Sequence, residues 1–461
     1  MPIVQLTKLD SLAIGIDQKF TRGQYRQLEL FFSLPKEMGI SSETLDEEQY
    51  FYSAIIGRRF YYADGLHLPN VQQGFTQFNQ HSVEQFRLHL NLFVYQLGIA
   101  VENDVNQLIH HSNDTTLFEN ETEKLCQQVR LLLMQFRNNE PDDKRRQTYF
   151  NNADNYLSWL CEQQLLKLLE KTQNDASESV LSDQVLQLCR DENAHRMNRK
   201  YNAKQTLADP NRISNKMLLT ARLLQQGVVL KECLKPLGGG VKKLTSGISM
   251  ALVMMLITAM VLYAKAEFSN VTLMLVLVMA VIYGLRDVFL NDVRNTLLRV
   301  VRRGRPKWSR TLIDTNTKGI IAKQFIWLEY LRSKDISEAI SATLSRRSSQ
   351  NNIESKLLHY RINTQMYNEQ FPVGYSHLRE QVQFSLIPFI SHLQRGKARV
   401  YSEHEGHVSG HPVERRYQID LIICVRDGEQ EKRYARYKIT LNRKSIVDIS
   451  EATIPDFIAQ L

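Results

Sequence analysis

Glu403, His404, Glu405, His407 and His411 fall within nine residues of one another, beside Gly406 and Gly410. Imidazoles and carboxylates at this density are the donors that zinc or another transition metal takes. Glu403, His404, His407 and His411 are therefore the candidate metal ligands, and metal-dependent hydrolysis is the chemistry they would support. Only two residues separate His404 from His407, so the spacing is not that of H-E-x-x-H. The flanking glycines suggest a turn, and a polar hairpin loop accounts for the same residues without a metal. Asp420 is an isolated carboxylate with no E-x-K partner, and no G-x-S-x-G, dinucleotide fingerprint or kinase set occurs. Pro236-Leu237-Gly238-Gly239-Gly240 followed by Lys242 and Lys243 lacks the Gly-Lys-Ser/Thr core of a phosphate loop, and it is expected to be a joint. The balance leans away from an enzyme.

The histidines lie among segments with strand periodicity. Tyr417, Ile419, Leu421, Ile423 and Val425 alternate with mostly polar neighbours, Asp427-Gly428 marks a turn, and Ala435, Tyr437, Ile439 and Leu441 alternate again. Strands are expected at 398–402 and 446–449, with a helix over 381–393, so 351–461 is expected to form a small α+β domain with an antiparallel sheet.

Upstream, Leu244 to Ala264 is 21 residues without a charge, and Phe268 to Leu285 is 18 more. A hydrocarbon core needs roughly 20 apolar residues of helix. With only Lys265, Ala266 and Glu267 between them, a two-helix transmembrane hairpin is expected over 241–285, with spans 244–264 and 268–285. Gly247 with Ala251, and Ala280 with Gly284, are small-xxx-small pairs through which the helices are expected to approach closely. Neither run holds an ionisable side chain, which argues against ion-coupled transport by one chain. Lys242, Lys243, Arg286, Arg294, Arg299, Arg302, Arg303 and Arg305 flank the runs, so lipid headgroups are their expected partners. Both large flanking parts, and both termini, are then expected in the cytoplasm, with a bacterial inner membrane as the suggested setting. Residues 286–350 read as basic juxtamembrane helices and linker, with further helix over 320–344.

Residues 1–240 are expected to form a cytoplasmic helical bundle. Leu125, Val129, Leu132 and Phe136 form one apolar stripe at helical spacing, and Leu157, Cys161, Leu165 and Leu168 form another. Phe86, Leu90, Phe93 and Leu97 also fit a helix. Tyr50, Phe51, Tyr52, Phe60, Tyr61 and Tyr62 concentrate around Arg58 and Arg59, an arrangement expected mainly from core packing.

Charge and cysteine content agree with this placement. The formal net charge of +9 divides into −3 over residues 1–240 and +12 over 241–461. The excess beside the apolar runs suits anionic headgroups, and nucleic acid is the weaker partner. Five scattered cysteines without C-x-x-C fit neither a disulfide framework nor a zinc ribbon. No secretory leader is evident at 1–15. The expected fold class is thus an integral membrane α-helical hairpin with a mainly α cytoplasmic N-terminal bundle and a small cytoplasmic α+β C-terminal domain. The expected function is a non-enzymatic two-pass scaffold or adaptor that assembles cytosolic protein partners at an anionic membrane. The alternatives are an oligomeric channel-forming or membrane-disrupting effector, which would need a homo-oligomer, and a membrane-tethered metal hydrolase.

Overall fold

The computed structural model describes residues 4–35, 38–41, 43–62, 68, 82–110, 115–172, 180–267, 272–302, 304–331, 340, 356–372, 375–391, 393, 398–404, 407–413 and 415–452. The expected fold class does not hold, because the organising unit is a pair of antiparallel sheets to which both ends of the chain contribute.

The chain opens with β1 (Val4–Asp10), β2 (Ala13–Phe20), β3 (Tyr25–Leu34), α1 (Glu47–Ala54) and β4 (Ile55–Tyr62). Helices α2 (Val83–His110), α3 (Thr115–Arg137), α4 (Lys144–Thr172), α5 (Val180–Asn198), α6 (Lys204–Leu207) and α7 (Pro210–Leu224) follow as an insertion. Next come β5 (Lys231–Pro236), the long helices α8 (Gly239–Glu267) and α9 (Thr272–Arg302), and β6 (Trp308–Ile313). The remainder is β7 (Ile320–Leu331), β8 (Lys356–Met366), β9 (His377–Ser385), α10 (Ile387–Ile390), β10 (Ala398–His404), β11 (His407–Val413), β12 (Tyr417–Asp427), β13 (Arg433–Leu441) and β14 (Ile446–Ala452).

The large sheet runs β14-β13-β12-β3-β8-β7-β6-β5, and the smaller one β1-β2-β9-β4. Strand alternation explains how they pack. On β3, Leu28, Leu30 and Phe32 point to one face, where they meet Ile14 and Ile16 of β2 and Val382 and Phe384 of β9 in a common core. Ile419, Leu421 and Ile423 of β12 join the same core.

The C-terminal strands are therefore not a separate α+β domain. The β12–β13 pair and its Asp427-Gly428 turn form as the alternation requires, from Tyr417↔Leu441 to Val425↔Arg433. But β12 also pairs with β3, from Asp420↔Ser33 to Asp427↔Arg26. The segment expected as helix over 320–344 begins with β7, because Ile320–Leu331 is an apolar, aromatic-rich run that lies inside a sheet with neighbours on both sides. The helix expected over 381–393 is β9 followed by the short α10, since Leu378, Val382 and Phe384 alternate inward. Residues 341–350, the end of the stretch expected as juxtamembrane helices and linker, lie outside the described residues.

Nor are residues 1–240 a helical bundle. Strands β1 to β5 belong to the sheets, and apart from α1 and the first residues of α8 the described helices of this part lie in the insertion between β4 and β5. Within that insertion the apolar stripes expected on α3 and α4 are buried together with those of α2. On α7, by contrast, the buried residues are Met217, Thr220 and Leu224, while Leu218, Leu219 and Leu223 are exposed.

The two-span hairpin is corrected as well. Among the described residues one helix, Gly239–Tyr263, is long and apolar enough to cross a membrane. In α9 the described uncharged part runs from Thr272 to Leu285, before Arg286 and Asp287.

Candidate membrane-contact site

Strands β5 and β6 are neighbours at the edge of the large sheet, from Lys231↔Ile313 to Pro236↔Trp308. Residues 237–307 therefore leave the sheet and return to it at one place, as an arm built of α8 and α9. At 29 and 31 residues, these helices are each roughly 45 Å long. The root is closed by Leu237 N–H donating to the Lys307 carbonyl at 2.7 Å and Lys307 N–H donating to the Ile326 carbonyl at 2.9 Å. Gly238 and Gly304 take φ of 90° and 73°, which side chains with a Cβ rarely adopt, and so permit the chain to turn out of and back into the sheet.

Helix α1 clamps this root. The Lys307 ammonium bonds the Glu47 carboxylate and, at 2.7 Å, the Leu328 carbonyl. Glu47 also accepts from the Tyr330 N–H at 2.9 Å. The Trp308 ring stacks on Phe51 at 3.9 Å and its indole N–H donates to Tyr52 at 3.2 Å. Beneath the root, Glu232 of β5 bonds Arg59 at 2.7 Å and lies 3.2 Å from Arg310 of β6. Arg59 is fully buried and also pairs with fully buried Glu380. Burial would lower the Arg59 pKa, but Glu380 and Glu232 outweigh it and hold the guanidinium charged.

Along the arm, Thr245, Ser249, Val253 and Ile257 are buried at four-residue intervals and form one stripe of α8. Most other large apolar side chains of α8 are exposed, including Leu244, Ile248, Met255, Leu262 and Tyr263. Only 22% of its most apolar stretch is buried within the protein. Val276, Leu277, Val281 and Phe289 are exposed on α9. An apolar surface on this scale is the mark of a lipid or protein contact.

Gly247, Ala251, Ala280 and Gly284 are all exposed, and a Cβ added at either glycine meets nothing within 4 Å. The burial on α8 runs through the Thr245–Ile257 stripe instead. Lys242, Lys243 and Arg305 are exposed near the root, and Arg286 and Arg294 are half-buried farther along α9. The side chains of Arg299, Arg302 and Arg303 lie outside the described residues. At the root of the arm a cavity of about 220 Å³ is lined by Leu237, Gly238, Val241, Arg305, Pro306 and Lys307.

The histidine cluster is a two-stranded hairpin, β10 with β11, in which His404 is opposite His407, Glu403 opposite Val408 and His411 opposite Val400. Strand alternation puts positions 407 and 411 on one face and 403 on the other. His411 Nε2 lies 3.3 Å from Ser409 Oγ. The side chain of His404 lies outside the described residues, and among the described residues no three His, Cys, Asp or Glu side chains converge as metal ligands.

Several buried polar centres carry no sequence motif, and two of them tie strands together. One is the Arg59–Glu380–Glu232–Arg310 network. The other is His359 of β8, whose Nε2 is 3.0 Å from Glu29 and whose Nδ1 is 3.9 Å from Glu329, with Phe31 stacked on the ring at 4.5 Å. Burial would lower the His359 pKa, but the two carboxylates raise it, and they are in turn held below the usual carboxylate range. Their only sequence signal is charge inside a strand pattern, as in Arg58-Arg59-Phe60. The arm presents apolar surface and cations. No protein-family model, no curated protein and no solved structure matches the chain.

Proposed function

We propose that the chain is a membrane-attached scaffold, held by the α8–α9 arm, that presents its sheets and helical insertion to protein partners. The observation that carries this reading is the arm itself: a helix long and apolar enough for a membrane, left largely uncovered by the rest of the chain. Burying such a surface in lipid removes roughly 25 cal/mol per Å² of apolar exposure. Because both ends of the arm enter adjacent strands, the two sheets sit together at its root. Lysines and arginines at that root suit anionic headgroups. Exposed Leu218, Leu219 and Leu223 on α7 supply an apolar patch away from the arm's own helices, suited to a protein partner.

Membrane fractionation of cells making the full chain, beside a chain in which residues 239–302 are replaced by a short Gly-Ser link, tests the attachment. The full chain is expected in the membrane fraction, resistant to salt and alkaline washing, and the shortened chain in the supernatant with its sheets folded. Recovery of the full chain in the supernatant would overturn the reading.

A further inference from the structure

The cavity at the root of the arm combines features that a surface of lysines lacks. Leu237, Val241 and Pro306 give it apolar walls, and Arg305, an exposed cation, is among the residues that line it. Lys307 also lines it, but the Lys307 ammonium is committed to Glu47 and the Leu328 carbonyl. No partner of Arg305 exists among the described residues, so its donors are free for a ligand. A guanidinium offers planar, paired N–H donors that match two oxygens of a phosphate. The cavity lies where the exposed apolar surface of α8 begins, just beyond Lys242 and Lys243. A ligand there must therefore be apolar on the arm side and anionic at the root.

We propose that this cavity is a binding site for an anionic phospholipid, with its net negative headgroup on Arg305, where the choline ammonium of a zwitterionic lipid is repelled, and the glycerol and first acyl carbons against Leu237, Val241 and Pro306. The proposal rests on the membrane reading above and adds headgroup selectivity to it. The site is held open by structure that does not belong to the arm: α1 fixes Lys307 and Trp308, and β6 is bonded into the sheet. Its shape is thus set before any lipid enters, as a selective site requires.

The test uses the full chain in neutral detergent, titrated with phosphatidylglycerol or phosphatidylcholine, with retained lipid counted by native mass spectrometry. The expected result is saturable retention of one phosphatidylglycerol in preference to phosphatidylcholine. Arg305→Gln is expected to weaken phosphatidylglycerol binding about fivefold, the effect of one cation near a lipid surface. Val241→Trp, which fills the cavity and changes no charge, is expected to weaken it at least as much. Lys243→Gln, outside the cavity, is expected to change it little.

Equal retention of the two lipids by a chain that still fractionates with membranes would overturn the headgroup site and leave the membrane reading standing. So would equal losses from Arg305→Gln and Lys243→Gln with none from Val241→Trp, the pattern of diffuse attraction. Displacement of phosphatidylglycerol by millimolar inorganic phosphate would identify a soluble phosphate ligand and likewise overturn the proposal. A chain found in the supernatant would defeat both. Arg305 is exposed, so its substitution leaves the fold intact and the comparison valid even if Val241→Trp disturbs the root.

Discussion

Arg59 of β4 and Glu380 of β9 stand directly opposite each other in the small sheet, 2.6 Å apart, with neither side chain exposed. The pair faces the interior between the sheets, where Gln324 of β7 donates to Glu380 at 3.0 Å and Glu232 of β5 takes a second Arg59 nitrogen. It thereby links both sheets to the strand from which the arm departs. Removing one member of such a pair strands the other charge in a dry core.

Arg59→Met is accordingly expected to lower unfolding stability by about 3–5 kcal/mol. Arg59→Met combined with Glu380→Leu is expected to lose less than the two single changes summed, because the second removes the charge that the first has stranded. Chemical denaturation of the four proteins measures this directly. Strict additivity would mean that the two groups are energetically independent.

His359 predicts a pH dependence with two limbs. Its folded pKa is raised above its ordinary 6.5, so its contribution is full below 6.5 and is lost as pH rises through the folded value. Glu29 and Glu329 are held below their ordinary 4.5, so their contribution is full above 4.5 and is lost as pH falls through their folded values. Lys432, 3.9 Å from Glu29, adds to the second limb. The difference in melting temperature between the parent and His359→Gln is expected to be largest between about 4.5 and 6.5 and to shrink on both sides. A difference independent of pH would show that the ring acts only by stacking on Phe31.

The buried stripe of the arm separates two substitutions that introduce the same side chain. Ser249 is wholly buried, with its hydroxyl donating to the Ser246 carbonyl at 3.0 Å, so Ser249→Leu overpacks the arm at a cost of about 1–3 kcal/mol. Gly247→Leu enters open space and exchanges glycine for a better helix former, so it is expected to be neutral or stabilising. Thermal unfolding in detergent, followed by helical circular dichroism, ranks the two. The reverse order would place the contact through the small residues.

Thiol labelling of the native chain should find one cysteine and spare four. Cys126, Cys161, Cys189 and Cys424 are buried, whereas Cys233 of β5 is half-buried. Burial pushes the Cys126 thiol up to about 11 and those of Cys189 and Cys424 to about 12, and it raises Cys161 as well, so few thiolates form near neutrality. Ellman's reagent is expected to react quickly with one thiol and with the other four only after denaturation. Mass mapping should place the fast one at Cys233, and fast labelling elsewhere would contradict the packing.

Features set by nearest neighbours could be read from the sequence. The apolar run from Leu244 to Ala264, the helical stripes on α3 and α4, and the β12–β13 turn at Asp427-Gly428 are each fixed within some thirty residues, and each is a helix or hairpin in the fold. Hydrophobic period reports which local structure can bury an apolar face, and there it had no competitor. What it could not report is which strand finds which. The β3–β12 pairing joins segments nearly the length of the chain apart, and Arg59 meets Glu380 across 321 positions. Strand register depends on facing partners, and a buried charge is recognisable only once its counter-charge is in place. The root of the arm is of the same kind. Its cations were visible one by one in the sequence, but only the pairing of β5 with β6 brings residues 237–241 against 305–307 and closes a cavity between them.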